Sequence, residues 1–520
     1  MFKENSVLSI SLILSILFVI IGVAFNDWLG QKASVFLNFT VTYFNWFYLL
    51  VGTIFVGFCL FLMFSKYGKT RLGKDTDKPA YSTLSWISML FSAGMGVGLV
   101  FWAVAEPVSH YITPPTGEGA TAEAATEAMK ATFFHWGMHP WALFGTVALG
   151  LAYFHFRKGL PPSISSIFYP LLGNRIYETP GKIIDIVSVF ITAVGVASTF
   201  GLSTLQINNG MNAQWGVPIT FPIQMLIIGF ATLLFIISSW SGLNRGLKYL
   251  SYFNIVLLAF VVSIILILGP TRQIFEILIS TTGSYVGSIL PTSLRMEPFN
   301  SEGSNWIGTW TVFYWAWWTT WSPFVGSFVA RISKGRTIKE FVLGVLLVPS
   351  LISFIWFSVL GGSAIHLIHD LGNSQLAETI NANVDGALFA FLSEFPLGNF
   401  LSILALLLIF IFFITSADSA TFVLGMLSSN GKPNPSRNLK ITWGLITAGS
   451  AVVFLLAGGL EAVRTIAIVI ATPFTIITVF ICWAVLKELR NEDKIRHSKI
   501  ANKKYKVARY SDYNYKSRAK

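Results

Sequence analysis

The sequence predicts an all-α polytopic membrane protein of about twelve transmembrane helices, and three observations carry that expectation. Apolar runs near 20 residues recur from end to end, about what a helix needs to cross a bilayer. Over half of the 520 residues are hydrophobic and only 12% are charged, a balance to which soluble-domain arithmetic does not apply. The loops between the runs also alternate in charge. Lys66–Lys78, Arg157–Lys182, Arg245–Lys248, Arg331–Lys339 and Lys432–Lys440 are rich in Lys and Arg. The intervening loops are acidic or nearly uncharged: one holds Glu106, Glu118, Glu123 and Glu127 against Lys130, another Asp370, Glu378, Asp385 and Glu394, and Gln206–Phe221 has no charge. This is the positive-inside pattern, with both termini cytoplasmic.

The spans fall near 7–26, 45–65, 84–106, 137–157, 183–206, 220–239, 248–269, 306–330, 340–360, 398–424, 440–458 and 463–486. Val7–Phe25 is too long for a signal-peptide core and reads as span 1. Residues 1–80 hold two N-terminal spans and a cytoplasmic loop, and 81–270 a first block of five spans. Residues 271–305 are too long and mixed for a simple loop and read as an amphipathic segment at the outer surface. A second five-span block fills 306–486, placed upside down relative to the first because five is odd. The basic tail 487–520 carries twelve basic residues against four acidic ones, a net +8 of the chain's +12. That points to anionic lipid rather than nucleic acid, since no nucleic-acid motif accompanies it. Cys59 and Cys482 lie far apart in apolar runs and imply neither a disulfide framework nor a metal knuckle.

Span 8 is the most unusual stretch. Trp306, Trp310, Trp315, Trp317, Trp318 and Trp321 crowd into little more than four turns, and Trp310, Tyr314, Trp317 and Trp321 share one helical face. Tryptophan ordinarily marks the ends of a span. A wall of π-faces is also how proteins bind quaternary ammonium groups. Trp321-Ser322-Pro323 then places a helix breaker inside the segment. Span 3 has its own interruption, Gly94, Gly96 and Gly98 around Met95. Gly94 and Gly98 could serve close helix packing. Three alternate glycines suit an unwound stretch whose backbone meets a ligand, and paired interruptions in two blocks point to a transporter site near the midplane.

Span 10 carries Phe412, Thr415, Ser416 and Asp418 in an apolar run. Hydroxyl and carbonyl oxygens with little charge suit an alkali cation, and Asp418 is the candidate proton carrier. At the mouth of span 4, His135 and His139 are four apart, as in a helical metal site, but no third ligand is near in sequence. Trp136 and Trp141 beside them are candidate partners for the aromatic wall.

With these motifs in the same order, AGMGVG, HWGMHPWA, YWAWWTTWSPFVGSFVARISKGRT and TSADSAT, the chain resembles the betaine/carnitine/choline transporter family over nearly its whole length. The resemblance implies a leucine-transporter-type fold of two inverted five-helix repeats plus two N-terminal helices, assembled as a homotrimer in the cell membrane. It implies a substrate site of Trp136, Trp141, Phe144, Trp317, Trp318 and Trp321, with Gly94, Met95, Gly96 and Gly98 opposite; Phe144 stands where the family often has Tyr. It implies a sodium site of Ser92, Met95 and Phe412 carbonyls with Thr415 and Ser416 hydroxyls. A second ion would use Thr192 and Phe324, weakened by Val196 in place of a threonine. Gly98, where choline importers often have Asp, favours glycine betaine or a related zwitterion.

The function expected is therefore secondary active import of glycine betaine, coupled to Na⁺, for osmoprotection, with no organic cofactor and no enzymatic activity. The alternatives are a proton-coupled or exchange transporter of choline or carnitine, and a membrane-embedded lipid-modifying enzyme using His135, His139 and Glu106.

Overall fold

The computed structural model describes residues 5–94, 96–241 and 244–517, with side chains described outside 91–95, 239–248, 497 and 499–517. Helices α1 (Ser6–Ala24) and α2 (Asn26–Phe64) come first, and the Asn5 side chain caps α1 by accepting from the Leu8 N–H. The first block holds α3 (Thr83–Gly94), α4 (Val97–Ile112), α5 (Ala122–Trp136), α6 (Met138–Ala152), the short α7 (Tyr169–Leu172), α8 (Thr179–Trp215), α9 (Phe221–Ser241) and α10 (Asn244–Leu268). Then α11 (Thr271–Ser293) and α12 (Ser301–Ile307) lead to the second block. That block holds α13 (Phe313–Ile332), α14 (Ile338–His369), α15 (Ser374–Ala382), α16 (Ala387–Ser393), α17 (Gly398–Ser428), α18 (Arg437–Leu456) and α19 (Leu460–Ser517). Among the described residues the sole β feature is an isolated bridge between Arg71 and Thr337.

Ten helices among the described residues are long and apolar enough to cross a membrane, against twelve spans expected. Spans 3, 4 and 8 fall short. Span 3 is split after Gly94, span 4 passes into a π-helical turn at Tyr153–Arg157, and span 8 starts with another at Gly308–Val312. Their glycines, tryptophans and hydroxyls cost them length and apolarity, and these are the residues singled out as functional. The amphipathic segment is instead long enough to join the ten, as Thr271–Ser293.

The break expected at Pro323 is absent. α13 runs through Pro323, and the Ser322 hydroxyl donates to the Thr319 carbonyl at 2.7 Å, the acceptor that proline cannot reach. The irregularity of this span sits at its start, in the π turn, so the interruptions of the two blocks do not match in position.

The packing does follow a two-block plan. Exchanging α4 with α13, α6 with α14, α8 with α17, α9 with α18 and α10 with α19 turns one set of packed pairs into another. α6 packs on α13 as α14 packs on α4; α8 packs on α18 as α17 packs on α9; α10 packs on α17 as α19 packs on α8. The pairs α6–α14, α8–α17 and α9–α18 map onto themselves. α19 departs from the plan by also packing closely on α13.

The basic loops Lys66–Lys78, Arg157–Lys182 and Arg331–Lys339 meet one another, as the charge alternation predicts, while Arg245–Lys248 lies outside the described side chains. Leu72 and Gly335 exchange backbone hydrogen bonds with Arg336 and Leu72 carbonyls at 2.8 Å each. Arg157 donates to the Gly73 carbonyl at 2.8 Å, and pairs with Asp75 and with Glu492. Lys158 reaches Glu488 at 2.8 Å, and Lys66 pairs with Asp493. The start of the tail is thus bolted to the loops at its own end. Its basic stretch beyond residue 498, the expected lipid contact, lies outside the described side chains. At the other end, Arg295 donates to the Pro115 carbonyl at 2.7 Å, Tyr111 bonds His369 at 2.9 Å and Gln273 donates to Asp370 at 2.7 Å.

Asp385, in the turn Val384–Gly386 on this acidic side, lines a cavity with Asn383, Glu461 and Gly459, and its Oδ1 is buried without a hydrogen-bond partner. Burial pushes its carboxyl up to about 6, against a smaller pull down from Arg464. A raised carboxyl favours the fold fully below the unfolded value and loses that contribution as pH rises through about 6. Asp385→Asn is therefore expected to raise stability above pH 6 by on the order of 1–2 kcal/mol. The gain shrinks as pH falls from about 6 and is gone by about pH 4. Thermal unfolding in detergent from pH 4 to 8 checks this; a pH-independent difference contradicts it.

Candidate functional site

The site begins at the split in span 3. α3 ends at Gly94, Met95 lies outside the described residues, and Gly96 is extended before α4 begins at Val97. The first N–H groups of α4 have no carbonyl one turn back within the helix, so those of Val97 and Gly98 need acceptors outside it. The two glycines differ in what surrounds them. A Cβ built on Gly96 would sit 3.8 Å from the Ser416 hydroxyl, an ordinary contact, whereas one on Gly98 would sit 2.6 Å from Cη2 of Trp317. Gly98 is thus a close approach of helix to indole, and the span 3 break lies between the span 8 aromatics and span 10.

The aromatic residues form a box rather than a stripe. The edge of Trp136, the last residue of α5, meets the Trp318 ring with centroids 4.9 Å apart. Trp318 stacks on Trp317 at 5.0 Å and on Tyr314 at 5.9 Å, and meets Phe144 edge-on at 6.0 Å. Trp141 stands behind Phe144, one α6 turn earlier, at 5.7 Å. Hydrogen bonds hold the indoles: Trp318 Nε1 donates to the His135 carbonyl at 3.2 Å and Trp317 Nε1 to the Ser198 hydroxyl at 3.0 Å. Trp321 sits apart, edge-on to Phe324 at 5.6 Å, with a buried indole N–H that has no partner. In this conformation the rings of the box pack directly on one another.

Trp315 leaves the box altogether. It stacks flat on His139 at 5.0 Å and faces Gly52. Trp306 and Trp310 pack on His110 at 4.9 and 4.4 Å, and the Arg464 guanidinium lies over Trp310 at 4.7 Å.

Sequence reasoning named the residue that organises this cluster only as an outer-loop acid and as part of the enzyme alternative. Glu106, expected in an acidic outer loop, is fully buried in α4. Its Oε2 accepts from Trp136 Nε1 at 2.6 Å and from the Tyr314 hydroxyl; its Oε1 contacts His135 Nδ1 at 2.7 Å and His110 Nε2 at 3.2 Å. The available signal was its place in the apolar run LVFWAVAEPV, four residues before His110. The His135–His139 pair is not brought together: His139 bonds Ser293 at 2.8 Å. Glu106, His110 and His135 are of metal-ligating type and lie within 4.8 Å of one another, yet direct hydrogen bonds account for the arrangement.

Of the ion-site residues, Ser92 and Met95 fall where side chains are not described, Met95 entirely. Thr415 Oγ1 donates back to the Ile411 carbonyl at 2.9 Å and contacts that of Phe412 at 3.3 Å, while Ser416 faces Gly96 across the break. Thr192 is buried and donates to the Ser188 carbonyl at 2.6 Å; Val196, one turn on, supplies no oxygen. Asp418 lies about two-thirds of the way along α17, 3.7 Å from Lys440 in the first turn of α18.

The family model described as betaine/carnitine/choline family transporter matches residues 6–494. A glycine betaine transporter of Bacillus subtilis (strain 168), OpuD, is 47% identical over 475 residues, covering 91% of this chain and 92% of that protein. A probable glycine betaine transporter of Desulfitobacterium hafniense (strain Y51) is 42% identical over 94% of this chain and 98% of its own length. An ectoine/hydroxyectoine transporter of Virgibacillus pantothenticus is 43% identical over 94% of this chain and 97% of its own. With the aromatic box, the split third span and this match over nearly the whole length, the chain belongs to the betaine/carnitine/choline transporter family and is a multi-pass membrane transporter, not an enzyme.

Proposed function

We propose that this chain imports glycine betaine or a closely related zwitterion, coupled to Na⁺, as an osmoprotective uptake system. The observation that carries this reading is the aromatic box set against the start of α4, with Trp317 packed on Gly98. The trimethylammonium group lies against Trp136, Phe144, Trp317 and Trp318, and cation–π attraction in such a desolvated setting is worth ~2 kcal/mol or more. The carboxylate turns to the free N–H groups of the Gly94–Gly98 stretch, with the unpartnered Trp321 N–H as a further donor. The relatives named as glycine betaine transporters support the substrate class.

Na⁺ binds between the Ser92 and Met95 carbonyls, the Phe412 carbonyl and the Thr415 and Ser416 hydroxyls. The approach of Ser416 to Gly96 supports this, since an ion there ties span 3 to span 10 and biases the outward-open state. A second ion at Thr192 and Phe324 is the weaker part of the scheme, for want of an oxygen at Val196. The protein works as a homotrimer in the cell membrane, both termini cytoplasmic, with the basic tail on anionic lipid. Proton coupling through Asp418 ranks second because that carboxylate is paired with Lys440.

Uptake of radiolabelled betaine into proteoliposomes is expected to follow an imposed inward Na⁺ gradient. Uptake driven by a pH gradient and indifferent to Na⁺ contradicts the coupling. Choline, carnitine and ectoine as unlabelled competitors then rank the substrates, and stronger competition by choline than by betaine contradicts the zwitterion assignment.

A further inference from the structure

Glu106 touches the box from behind, through the polar edges of two of its rings. Trp136 and Tyr314 donate to one oxygen, and the two imidazoles lie against the other. In the tautomers that donate, His135 Nδ1–H and His110 Nε2–H complete a set of four donors, the full capacity of an ionised carboxylate. Thr311 can then donate to His135 Nε2, at 3.0 Å. The whole group is buried, so water does not screen it. Beyond His110 lies Arg464, held over Trp310 and Trp102 and paired with Glu461 at 3.0 Å.

We propose that Glu106 is the counter-charge of the aromatic box, a specificity-determining residue that makes the box select a cation over a neutral group of the same shape. This rests on the reading of the chain as a betaine importer. The carboxylate acts in two ways. Its charge attracts a quaternary ammonium one ring-width away through low-dielectric surroundings. Accepting from the indole N–H and phenol O–H also pushes electron density into both rings, which strengthens their hold on a cation. A trimethylammonium group has no hydrogen to give a carboxylate, so a negative charge one layer back, behind π-faces, suits it better than direct contact.

Glu106→Gln isolates the charge from the scaffold. The amide oxygen can still accept from Trp136 and Tyr314, while its NH₂ donates to the two imidazoles in their other tautomers, with His135 then donating to Thr311. The test compares glycine betaine with 3,3-dimethylbutanoate, which has carbon in place of the quaternary nitrogen, as competitors of labelled betaine on reconstituted protein. Wild type is expected to prefer betaine strongly. In Glu106→Gln the half-saturating concentration of betaine should rise about tenfold, with that of the carbon analogue unchanged or lower. Equal losses for both ligands, or betaine binding within twofold of wild type, overturn the proposal. Glu106→Asp keeps the charge but shortens its reach; it should retain the preference even where overall affinity falls, and a lost preference there also overturns the proposal, including where the glutamine variant does not fold. A wild type that binds neither ligand, or both equally, refutes the betaine reading instead.

Discussion

Trp318→Leu is expected to raise the dissociation constant for glycine betaine by a factor on the order of 100 or more, with uptake at low substrate falling in step. Trp318 is the ring shared by every wall of the box: Trp136, Phe144, Tyr314 and Trp317 all pack on it. Removing it takes away a desolvated π-face, worth ~2 kcal/mol. It also leaves the buried His135 carbonyl without the indole N–H at 3.2 Å, a cost of about 1–3 kcal/mol that falls where Trp136 is held. Trp315→Leu is the control. It deletes an indole three residues away in the same helix, but one that stacks on His139 outside the box. It should lower the unfolding temperature and leave betaine affinity within about threefold. Tryptophan quenching by betaine in the two variants separates these outcomes; a Trp318→Leu protein that binds betaine like wild type sinks the box assignment.

What the sequence made legible, and what it hid, divides along physical lines. Loop charge is a local property, and the basic loops do meet at one end: Lys66, Arg71, Arg157 and Arg336 all take part in contacts there. The aromatic box was legible because tryptophan in mid-span is costly unless used, and Trp136, Trp317 and Trp318 come together from two segments far apart in sequence. The exact face was not. A helix wheel puts Trp317 with Trp321, but the rings that stack are neighbours, Trp317 on Trp318, because side-chain rotamers and the partner on α5 decide where large rings meet. Pro323 misled because a proline's cost depends on whether another donor reaches the orphaned carbonyl, and Ser322 does. The place of Glu106 under the box stayed hidden because a carboxylate near the end of an apolar run reads as the start of a loop; its four donors come from positions up to 208 residues away. Spans 3, 4 and 8 are the ones whose glycines, tryptophans and hydroxyls keep them short of the length and apolarity that ten other helices reach among the described residues.

Gly98→Ala is expected to raise the half-saturating betaine concentration about 10- to 100-fold, and Gly96→Ala to change it little. The two glycines are equivalent in sequence and differ in what a methyl group would meet. At Gly96 it would rest in ordinary contact with Ser416; at Gly98 it would sit 2.6 Å from the far edge of the Trp317 ring. That ring cannot swing away cheaply. It is buried, stacks on Phe313 at 5.7 Å and Trp318 at 5.0 Å, and bonds Ser198. Overpacking of this kind costs about 1–3 kcal/mol, and relief by moving Trp317 carries the displacement into Trp318 and the box. Gly98→Asp meets the same ring and adds a charge, so by itself it should lose betaine. Trimming the ring should restore what the methyl group takes. In Gly98→Ala/Trp317→Phe the smaller side chain clears the contact, and Ser198 keeps its bond to the Gly195 carbonyl. The double variant should bind betaine more tightly than Gly98→Ala alone, a coupling of at least ~1 kcal/mol in a double-mutant cycle. Additive effects in that cycle would mean that Gly98 acts through the backbone of the span 3 break rather than through the space it leaves for Trp317.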